Sequence, residues 1–307
     1  MGELRLVEKG GSRDGPGCLF QTPAFFRLHA REAAHYFEWV HKGRVAACVH
    51  FTRGVDGLWR SPGRGTFAGY AMREDLRHEE LFAFHSAVVA RLADEGARQI
   101  EVLPAPMSHD PIAFANQVYM LRASGFRLTR CDLDQSLEVT APPLAERMSY
   151  ANLKRLRKCR REGLEAQLLP ASALAAVYDT LAANRARKGR ELSMSHAELQ
   201  VMAREFPQAM LLFGCTDGER LAAAALCLRL SARVMHVFYW GDAPGYSAFS
   251  PVVMLAEAIY THCQATGVGL LDLGTSTVDI EPDFGLLHFK HGLGFKESLK
   301  VRMQLDL

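Results

Sequence analysis

Three pairs of similar segments lie in the same order in the two halves of this chain, about 170 residues apart. One pair is "ARLADEGARQIEVLP" and "YTHCQATGVGLLDLG"; another is "LRASGFRLTRCDL" and "FKHGLGFKESLKV". The third pair is "HKGRVAACVHF" and "DGERLAAAALCL". Ordered similarity at one offset indicates that a single arrangement of helices and strands occurs twice. We favour two copies of one fold over the alternative, two generic α/β segments with similar short loops.

The second copy gives the clearer succession of elements. Hydrophobic periodicity predicts two helices, a hairpin, a third strand, a helix, a strand, a further helix and a last strand. Asp217 and Gly218, between two apolar runs, mark the hairpin turn. Because an antiparallel hairpin leads into a parallel β–α–β unit, the sheet should be mixed. The predicted fold is therefore α/β (α+β), with two tandem domains that are each a mixed β-sheet flanked by helices.

A domain boundary is predicted near the middle of the chain. The segment "TAPPLAE" (140–146) holds two prolines and interrupts the repeated pattern. A proline-rich break in the pattern is typical of a link between domains. We therefore predict an N-terminal domain over residues 1–142 and a C-terminal domain over residues 143–307. Residues 1–20 are polar and rich in glycine, which predicts a loosely packed leader.

The composition is that of an ordinary globular protein. Apolar residues make up 49% of the 307 residues, enough for one or two cores. A net charge of +2 gives no global attraction for nucleic acid, so DNA is not an expected partner. The seven cysteines form no C-x-x-C motif and several lie in apolar runs, which indicates reduced, buried thiols. With no apolar leader and no apolar run of membrane-spanning length, the predicted location is cytoplasmic.

Four segments of the second half resemble motifs of a known family. They are the basic helix "NLKRLRKCRREGL", the loop and helix start "YWGDAPGYSAFSPVVMLAEAI", the strand "GLLDLG" and the element "FKHGLGF". In these segments the chain resembles the Fem-type aminoacyl and peptidyl transferases and related two-domain N-acyltransferases of the GNAT superfamily. The first half resembles only a degenerate copy of the fold, with "SPGRGTFAGY" in the loop position.

The resemblance implies an N-acyltransferase. An acyl or aminoacyl group, carried by acyl-CoA or aminoacyl-tRNA as co-substrate, would pass to a primary amine by direct attack, with no permanently bound cofactor. The C-terminal domain would carry the chemistry, and the N-terminal domain would shape the acceptor cleft. The acceptor would be a small-molecule or nucleotide-linked amine, and a tRNA end is a further candidate ligand. The alternative is a non-catalytic GNAT-like protein that binds a nucleotide-linked ligand.

The loop "GDAPGYSAFSPV" (241–252) is the predicted donor site. The resemblance implies a slot between splayed strands, with backbone N–H groups ahead of a helix for the pyrophosphate of the donor. Glycines permit close backbone approach, and a helix N-terminus favours an anion. The predicted donor-binding residues are Gly241, Gly245, Tyr246, Ser250 and Pro251. The alternative is an ordinary loop in which Ser250 caps the helix.

Lys290 and Asp272 are the predicted catalytic residues. Lys290 follows Phe289 in an apolar setting, and burying a lysine without a partner is costly. It therefore either extends to solvent or points into a polar cleft, where the resemblance implies contact with the acceptor or with charge near the reacting carbonyl. Asp272 lies in the strand "LLDLG" and needs a partner, which is either local backbone or a cation of the site.

A cationic segment of the second half is the predicted acceptor or phosphate site. Six cations fall within residues 154–161. Three of them share one helix face: Lys154, Arg157 and Arg161. Arg185, in the basic segment "NRARKGR", and Tyr239, near the end of a strand, could line the same cleft. The alternatives are a solvated face for the cations and core packing for Tyr239.

Motifs of other site classes are missing from the sequence. His288 and His291 have H-x-x-H spacing, but no third ligand or Glu-bearing zinc signature accompanies them, so no metal site is predicted. The chain has no G-x-S-x-G, no P-loop and no dinucleotide-binding G-x-G-x-x-G in a strand–helix context. These features argue against hydrolases, kinases and dehydrogenases.

Overall fold

The computed structural model of the protein describes residues 2–7, 15–30, 33–278 and 280–307. The chain divides into two compact units. Unit 1 contains Met1–Leu133 and Ser298–Leu307, and unit 2 contains Asp134–Glu297. Most of the last strand of the chain, from Ser298 onward, thus belongs to unit 1. The domains over residues 1–142 and 143–307 stay a prediction, because the division into compact units does not test where one copy of the fold ends and the next begins.

The described residues form strands and α-helices in both units. The strands are β1 (Glu3–Val7), β2 (Ala34–His41), β3 (Arg44–Arg53), β4 (Trp59–Ser61), β5 (Ala71–Met72), β6 (Gln99–Val102), β7 (Arg127–Glu138), β8 (Glu165–Leu169), β9 (Met210–Asp217), β10 (Arg220–Arg229), β11 (Val234–Asp242), β12 (Leu270–Thr275), β13 (Thr277–Val278), β14 (Glu281–Pro282) and β15 (Lys296–Asp306). The α-helices are α1 (Pro23–His29), α2 (His78–Asp94), α3 (Pro111–Ala123), α4 (Tyr150–Arg161), α5 (Leu174–Ala186), α6 (His196–Glu205), α7 (Val252–Ala265) and α8 (Phe284–Gly292).

Both units contain a mixed sheet, and the order of strand directions is the same in each. In unit 1, the pairs β1–β2, β2–β3 and β3–β4 are antiparallel, β4–β6 is parallel and β6–β15 is antiparallel. In unit 2, the pairs β8–β9, β9–β10 and β10–β11 are antiparallel, β11–β12 is parallel and β12–β7 is antiparallel. The predicted mixed α/β architecture is confirmed.

Local sequence explains where the main elements begin and turn. The β9–β10 hairpin turns at Gly218, which has a positive φ of 57° that glycine adopts without strain. α3 begins at Pro111, where the missing N–H costs nothing, and the Asp110 side chain accepts the N–H of Ala113 at 2.9 Å. α7 begins directly after Pro251, as predicted.

The structure also contains elements that the sequence analysis did not predict. The leader holds β1, which pairs with β2, so its first residues are part of the sheet rather than loosely packed. Residues 8–14 of the leader lie outside the described residues. α6 was missed although Ser195 and Glu198 form a capping box at its start. β8 pairs with β9 at the edge of the unit 2 sheet.

Each unit has its own apolar core. In unit 2 the core lies between one face of the sheet and the helices α4 and α7, with Leu156, Leu255, Ile259 and Leu271 among its buried side chains. In unit 1 it includes Phe37, Phe84, Val88 and Ile100. Among the described residues, none of the helices has the length and apolar character needed to cross a bilayer.

Candidate active site

The two parallel strands of unit 2 separate after a short paired stretch. β11 and β12 are joined at three positions: Val234 with Leu270, Met235 with Leu271 and His236 with Asp272. Beyond His236, β11 continues to Asp242, while β12 continues from Asp272 only to Thr275. Within residues 234–275, all of which the structure describes, the ladder between these strands therefore ends at the His236–Asp272 position.

A β-bulge lies on β11 just beyond this point. In the ladder with β10, Leu226 opposes Tyr239 and Cys227 opposes Val237, which leaves Phe238 as the extra residue. A bulge removes a residue from the regular pairing and changes the direction of the side chains that follow. Phe238 thus has backbone groups that the register with β10 does not pair, at the place where β11 has left β12.

The carboxylate of Asp272 is fully buried, and both of its oxygens have hydrogen-bond partners. Its Oδ2 lies 2.8 Å from Nδ1 of His236, directly across the parallel pair. Its Oδ1 accepts the backbone N–H of Gly274 at 2.6 Å. The sequence predicts either a backbone partner or a cation, and the structure supplies a backbone N–H together with an imidazole.

His236 is a candidate functional residue that the sequence analysis missed. It is 4% exposed, and its only sequence signal is a polar residue inside the apolar strand "VMHVFYW". Its pairing with Asp272 depends on the register of two strands that are 36 residues apart in the chain. Pattern reading along one strand does not identify such a partner.

Lys290 is 1% exposed and does not extend to solvent. Its ammonium donates hydrogen bonds to the backbone carbonyl oxygens of Gly274 at 2.7 Å and Thr275 at 3.0 Å. Gly274 therefore connects the two predicted catalytic residues, because its N–H binds Asp272 and its C=O binds Lys290. Gly274 has a positive φ of 70°, and an added Cβ would lie 3.4 Å from His236. We call His236, Asp272, Gly274 and Lys290 the buried polar cluster.

Tyr239 and Arg185 lie near each other. The hydroxyl of Tyr239 forms a hydrogen bond with Ser193, and burial raises the pKa of this phenol. Burial also lowers the pKa of the half-buried Arg185 guanidinium, which the Tyr239 oxygen partly offsets. Arg185 forms no ion pair with any residue that the structure describes. Of the predicted acceptor residues, these two are the ones that the structure brings together.

The loop after β11 is held in place by Asp242. The Asp242 carboxylate and backbone carbonyl accept hydrogen bonds from Asn184 at 2.6 and 2.9 Å and from Arg187 at 2.7 and 2.9 Å. The hydroxyl of Ser247 donates to the same carboxylate at 2.8 Å. Asp242 thus attaches the loop over residues 243–251 to the end of α5. Asn184 was not selected from the sequence as a site residue, whereas Arg187 belongs to the basic segment that was considered for the cleft.

The predicted donor-binding glycines have different surroundings. A Cβ added at Gly241 would lie 2.5 Å from Cγ of Asn184, so glycine is needed there to accommodate a protein side chain. Gly245 has a φ of 90° and open space around it, which is typical of a turn glycine. Close approach of a donor is therefore not required to explain either glycine.

The other predicted donor-binding residues lie in the same loop and at the start of α7. Tyr246 donates its hydroxyl to Asp217 at 2.9 Å, and this hydrogen bond raises the pKa of the phenol. Ser250 has a positive φ of 55°, and its hydroxyl is 3.5 Å from the carbonyl of Ser247. Pro251 occupies the N-cap position of α7 and there is no side-chain cap, so Ser250 does not act as the helix cap.

The basic helix α4 contacts the donor loop through a cation that was not among the predicted site residues. Lys158 donates to the backbone carbonyl of Ala248 at 3.2 Å, and its Nζ lies 4.5 Å from the centre of the Phe249 ring. By contrast, Lys154, Arg157 and Arg161 are exposed. The structure does not bring these three residues to the buried polar cluster or to the loop.

No metal centre is evident in the part of the chain that the structure describes. It contains no group of three or more His, Cys, Asp or Glu side chains that could hold a metal ion. His291 contacts the carboxylate of Glu297 at 3.1 Å instead. His288 is exposed on α8.

A comparison with protein families supports the class that this geometry suggests. Residues 151–290 match the family model described as an acetyltransferase (GNAT) domain. This part of the chain is therefore similar to GNAT acyltransferase domains, in agreement with the sequence resemblance. The matched range contains every predicted site residue and the whole buried polar cluster.

Solved structures are similar to the chain over most of its length. The crystal structure of FemX has a TM-score of 0.75 and 13% identity, covering 95% of this chain and 93% of that one. A tandem GNAT protein from the clavulanic acid biosynthesis pathway has a TM-score of 0.55 and 13% identity, covering 99% and 98%. L-PGS from Bacillus licheniformis has a TM-score of 0.58 and 10% identity, covering 88% and 83%. At these identities the similarity concerns the fold. No curated protein sequence matches the chain significantly.

Proposed function

We propose that the protein is an N-acyltransferase that passes an acyl or aminoacyl group from acyl-CoA or aminoacyl-tRNA to a primary amine by direct attack. The observation that carries this proposal is the separation of β11 from β12 at His236 and Asp272, beside the buried ammonium of Lys290. The GNAT domain match over residues 151–290 supports the same class of reaction. The proposed location is the cytoplasm, and the two units are proposed to be copies of one ancestral domain.

Direct transfer requires a positioned carbonyl and donors for the charge that develops on its oxygen. The amine nitrogen attacks the acyl carbon, a C–N bond forms, and the bond from that carbon to the thiol sulfur or the tRNA ester oxygen breaks. The ammonium of Lys290 and a backbone N–H at the Phe238 bulge are the proposed donors to the carbonyl oxygen. A preorganised charge of this kind contributes to catalysis because it does not have to reorient during the reaction.

The attacking amine must also lose a proton, and the imidazole of His236 is the proposed acceptor. Asp272 contacts Nδ1 of this ring at 2.8 Å and thereby fixes its orientation. In this mechanism Asp272 positions the base instead of acting on the substrate. The leaving thiolate or alkoxide takes up a proton as it departs.

The acceptor side is proposed to include Tyr239 and Arg185. The half-buried guanidinium of Arg185 suits an anionic group on the acceptor, such as the phosphate of a nucleotide-linked amine. The exposed cations Lys154, Arg157 and Arg161 are proposed to contact a larger anionic ligand, such as a tRNA end.

One observation favours the second candidate function, a non-catalytic protein that binds a nucleotide-linked ligand. Several backbone N–H groups of the loop over residues 243–251 donate hydrogen bonds to carbonyl oxygens of the same loop. Tyr246 donates to Ala243, Phe249 to Tyr246 and Ser250 to Ser247. These amides are then not available to the pyrophosphate of CoA. Weak or absent donor binding would follow from this pairing.

A panel of donors separates the two candidates. The protein is titrated with acetyl-CoA, a longer acyl-CoA and an aminoacyl-tRNA, each beside its deacylated form, and the melting temperature is measured. A ligand at about 100 times its Kd stabilises the folded state by about 2.7 kcal/mol. Transfer to a set of primary amines is followed by mass spectrometry in the same samples.

The proposal predicts that one donor class raises the melting temperature and yields an acylated amine. A rise produced equally by the deacylated form, with no product from any amine, would support the non-catalytic alternative. No rise with any donor would contradict the acyltransferase proposal.

A further inference from the structure

Unit 1 contains a basic cavity that plays no part in the function proposed above. Its volume is about 680 Å³, which is within the range of small-molecule sites. Two segments supply its cations: the β2–β3 turn, with Lys42 and Arg44, and the segment before α2, with Arg73 and Arg77. We call this the unit 1 basic pocket.

The turn that carries Lys42 is sharp and places a charged side chain at its tip. Lys42 and Gly43 have φ values of 49° and 74°, as the two central residues of a type I′ hairpin require. Asparagine or glycine normally occupies the first of these positions, because the left-handed region is unfavourable for other residues. Lys42 therefore occupies a turn position at which the backbone conformation alone would favour asparagine or glycine.

The pocket contains more positive than negative charge. Glu80 is nearly buried and pairs with His41 at 2.5 Å and with Arg77 at 3.4 Å. Burial alone would raise the pKa of Glu80, but the hydrogen bonds from His41 and Arg77 lower it overall, so this carboxylate is ionised. Arg73 donates through Nε to the carbonyl of Val45 at 2.9 Å, which orients its guanidinium.

Two of the cations have no partner of opposite charge. Within the part of the chain that the structure describes, Lys42 and Arg44 form no ion pair. Counting Asp75 and Glu80 against Lys42, Arg44, Arg73 and Arg77, the lining carries a net charge of about +2 with His41 neutral. The whole chain also has a net charge of +2, so this pocket is a local concentration of positive charge.

We infer that the unit 1 basic pocket binds a diphosphate group of a small molecule. Guanidinium groups match phosphate oxygens in pairs, and a diphosphate supplies enough negative charge for both uncompensated cations. The pocket is concave and includes two carboxylates, whereas proteins that bind nucleic acid cluster lysine and arginine in a basic patch or stripe along one face. A small anion therefore fits the lining better than RNA does.

Isothermal titration of the full-length protein with inorganic pyrophosphate tests this inference. The variant Lys42→Asn with Arg44→Thr removes both uncompensated charges, and its residues suit a left-handed turn and an exposed strand. The control variant, Arg27→Ser with Arg98→Ser, removes two exposed charges of unit 1 that do not line the pocket. Orthophosphate, sulfate and a short single-stranded RNA are titrated in parallel.

The expected result is that pyrophosphate binds more tightly than orthophosphate or sulfate, and that the pocket variant weakens it by about tenfold or more. The control variant should change the affinity by less than about twofold. An equal loss in both variants, no detectable pyrophosphate binding, or RNA binding that depends on Lys42 and Arg44 in place of pyrophosphate binding would overturn the inference. Since neither residue belongs to the proposed acyl-transfer site, the pocket variant should keep any thermal shift that an acyl donor produces.

Discussion

A lysine whose ammonium is buried needs hydrogen-bond acceptors, and Lys290 has two in the backbone carbonyls of Gly274 and Thr275. Hydrogen bonds to a charged donor are worth about 1.5–3 kcal/mol each, which offsets part of the cost of burial. The same contacts fix the ammonium beside the point where β11 and β12 separate. Lys290 therefore contributes to the structure of this turn as well as to the proposed chemistry.

Replacing Lys290 by methionine keeps the volume of the side chain and removes its charge. We expect transfer to fall by about a hundredfold or more, because the proposed oxyanion donor is lost. We also expect the free energy of unfolding to fall by about 1–3 kcal/mol, because two buried carbonyls lose their donor. Urea unfolding and the mass-spectrometric transfer assay measure the two effects. Lys296→Met, at an exposed position of β15, is the matched control. Full transfer by Lys290→Met would exclude Lys290 from the chemistry.

Two buried histidines of unit 1 determine the direction in which the free energy of unfolding changes with pH. Burial lowers the pKa of His50 and of His85 to about 4, from an ordinary value of 6.5. The folded protein keeps both rings neutral, whereas the unfolded chain binds protons as the pH falls below 6.5. The free energy of unfolding should therefore be at its full value above pH 6.5 and decrease as the pH falls toward 4, by about 3 kcal/mol for each histidine.

Urea unfolding at pH 7.5 and pH 4.5 checks this expectation. The variant His85→Gln keeps a polar side chain that can meet the Tyr70 hydroxyl, which lies 2.7 Å from His85 in the folded protein. This variant should lose about half of the pH dependence. A wild-type free energy that is the same at both pH values would show that these imidazoles are not kept neutral.

At the scale of elements, the loop after β11 depends on the packing of α5. A side chain larger than that of glycine at position 241 would overlap Asn184. Hydrogen bonds to Asp242 hold Asn184 in this position. This arrangement sets the course of the chain from β11 into the predicted donor loop. Packing against Asn184 therefore explains why residue 241 is a glycine. The resemblance had instead implied that the glycine lets a donor molecule approach the backbone closely.

Gly241→Ala should lower the free energy of unfolding by about 1–3 kcal/mol, because the new methyl group would overlap the Asn184 side chain. The cost should be smaller when the protein also carries Asn184→Ala, which removes the atoms that are overlapped. Gly245→Ala is the control, since its cost of about 1 kcal/mol arises from a positive φ and is independent of Asn184. A Gly241→Ala cost that is the same in both backgrounds would show that Asn184 is not the cause.

The sequence predicts elements well where their signals are local. The hairpin turn at Asp217 and Gly218, the start of α7 directly after Pro251 and the strand around Asp272 all follow from adjacent residues, and all are confirmed. His236 and Asn184 were missed because their partners, Asp272 and Asp242, are distant in the chain and are brought near by strand register and helix packing. Lys290 was selected because a lysine in an apolar segment needs a polar partner, but its acceptors are backbone atoms, which no sequence pattern identifies.

At the scale of the whole molecule, one pattern of strand pairing is present in both units, and the proposed functions of the units differ. Unit 2 contains the GNAT domain match and the buried polar cluster. Unit 1 contains the basic pocket, with Lys42 and Arg44 in its lining. Acyl transfer is therefore proposed for unit 2 and diphosphate binding for unit 1, and either proposal can be wrong while the other holds.

Hydrogen exchange of the full-length protein, followed by mass spectrometry with and without acetyl-CoA, a longer acyl-CoA or an aminoacyl-tRNA, locates the donor directly. The account predicts that at least one donor slows exchange in peptides covering residues 237–252, where β11 leaves β12 and continues into the loop before α7. If no donor slows exchange there, or if protection is confined to unit 1, the site that the account proposes for acyl transfer is contradicted.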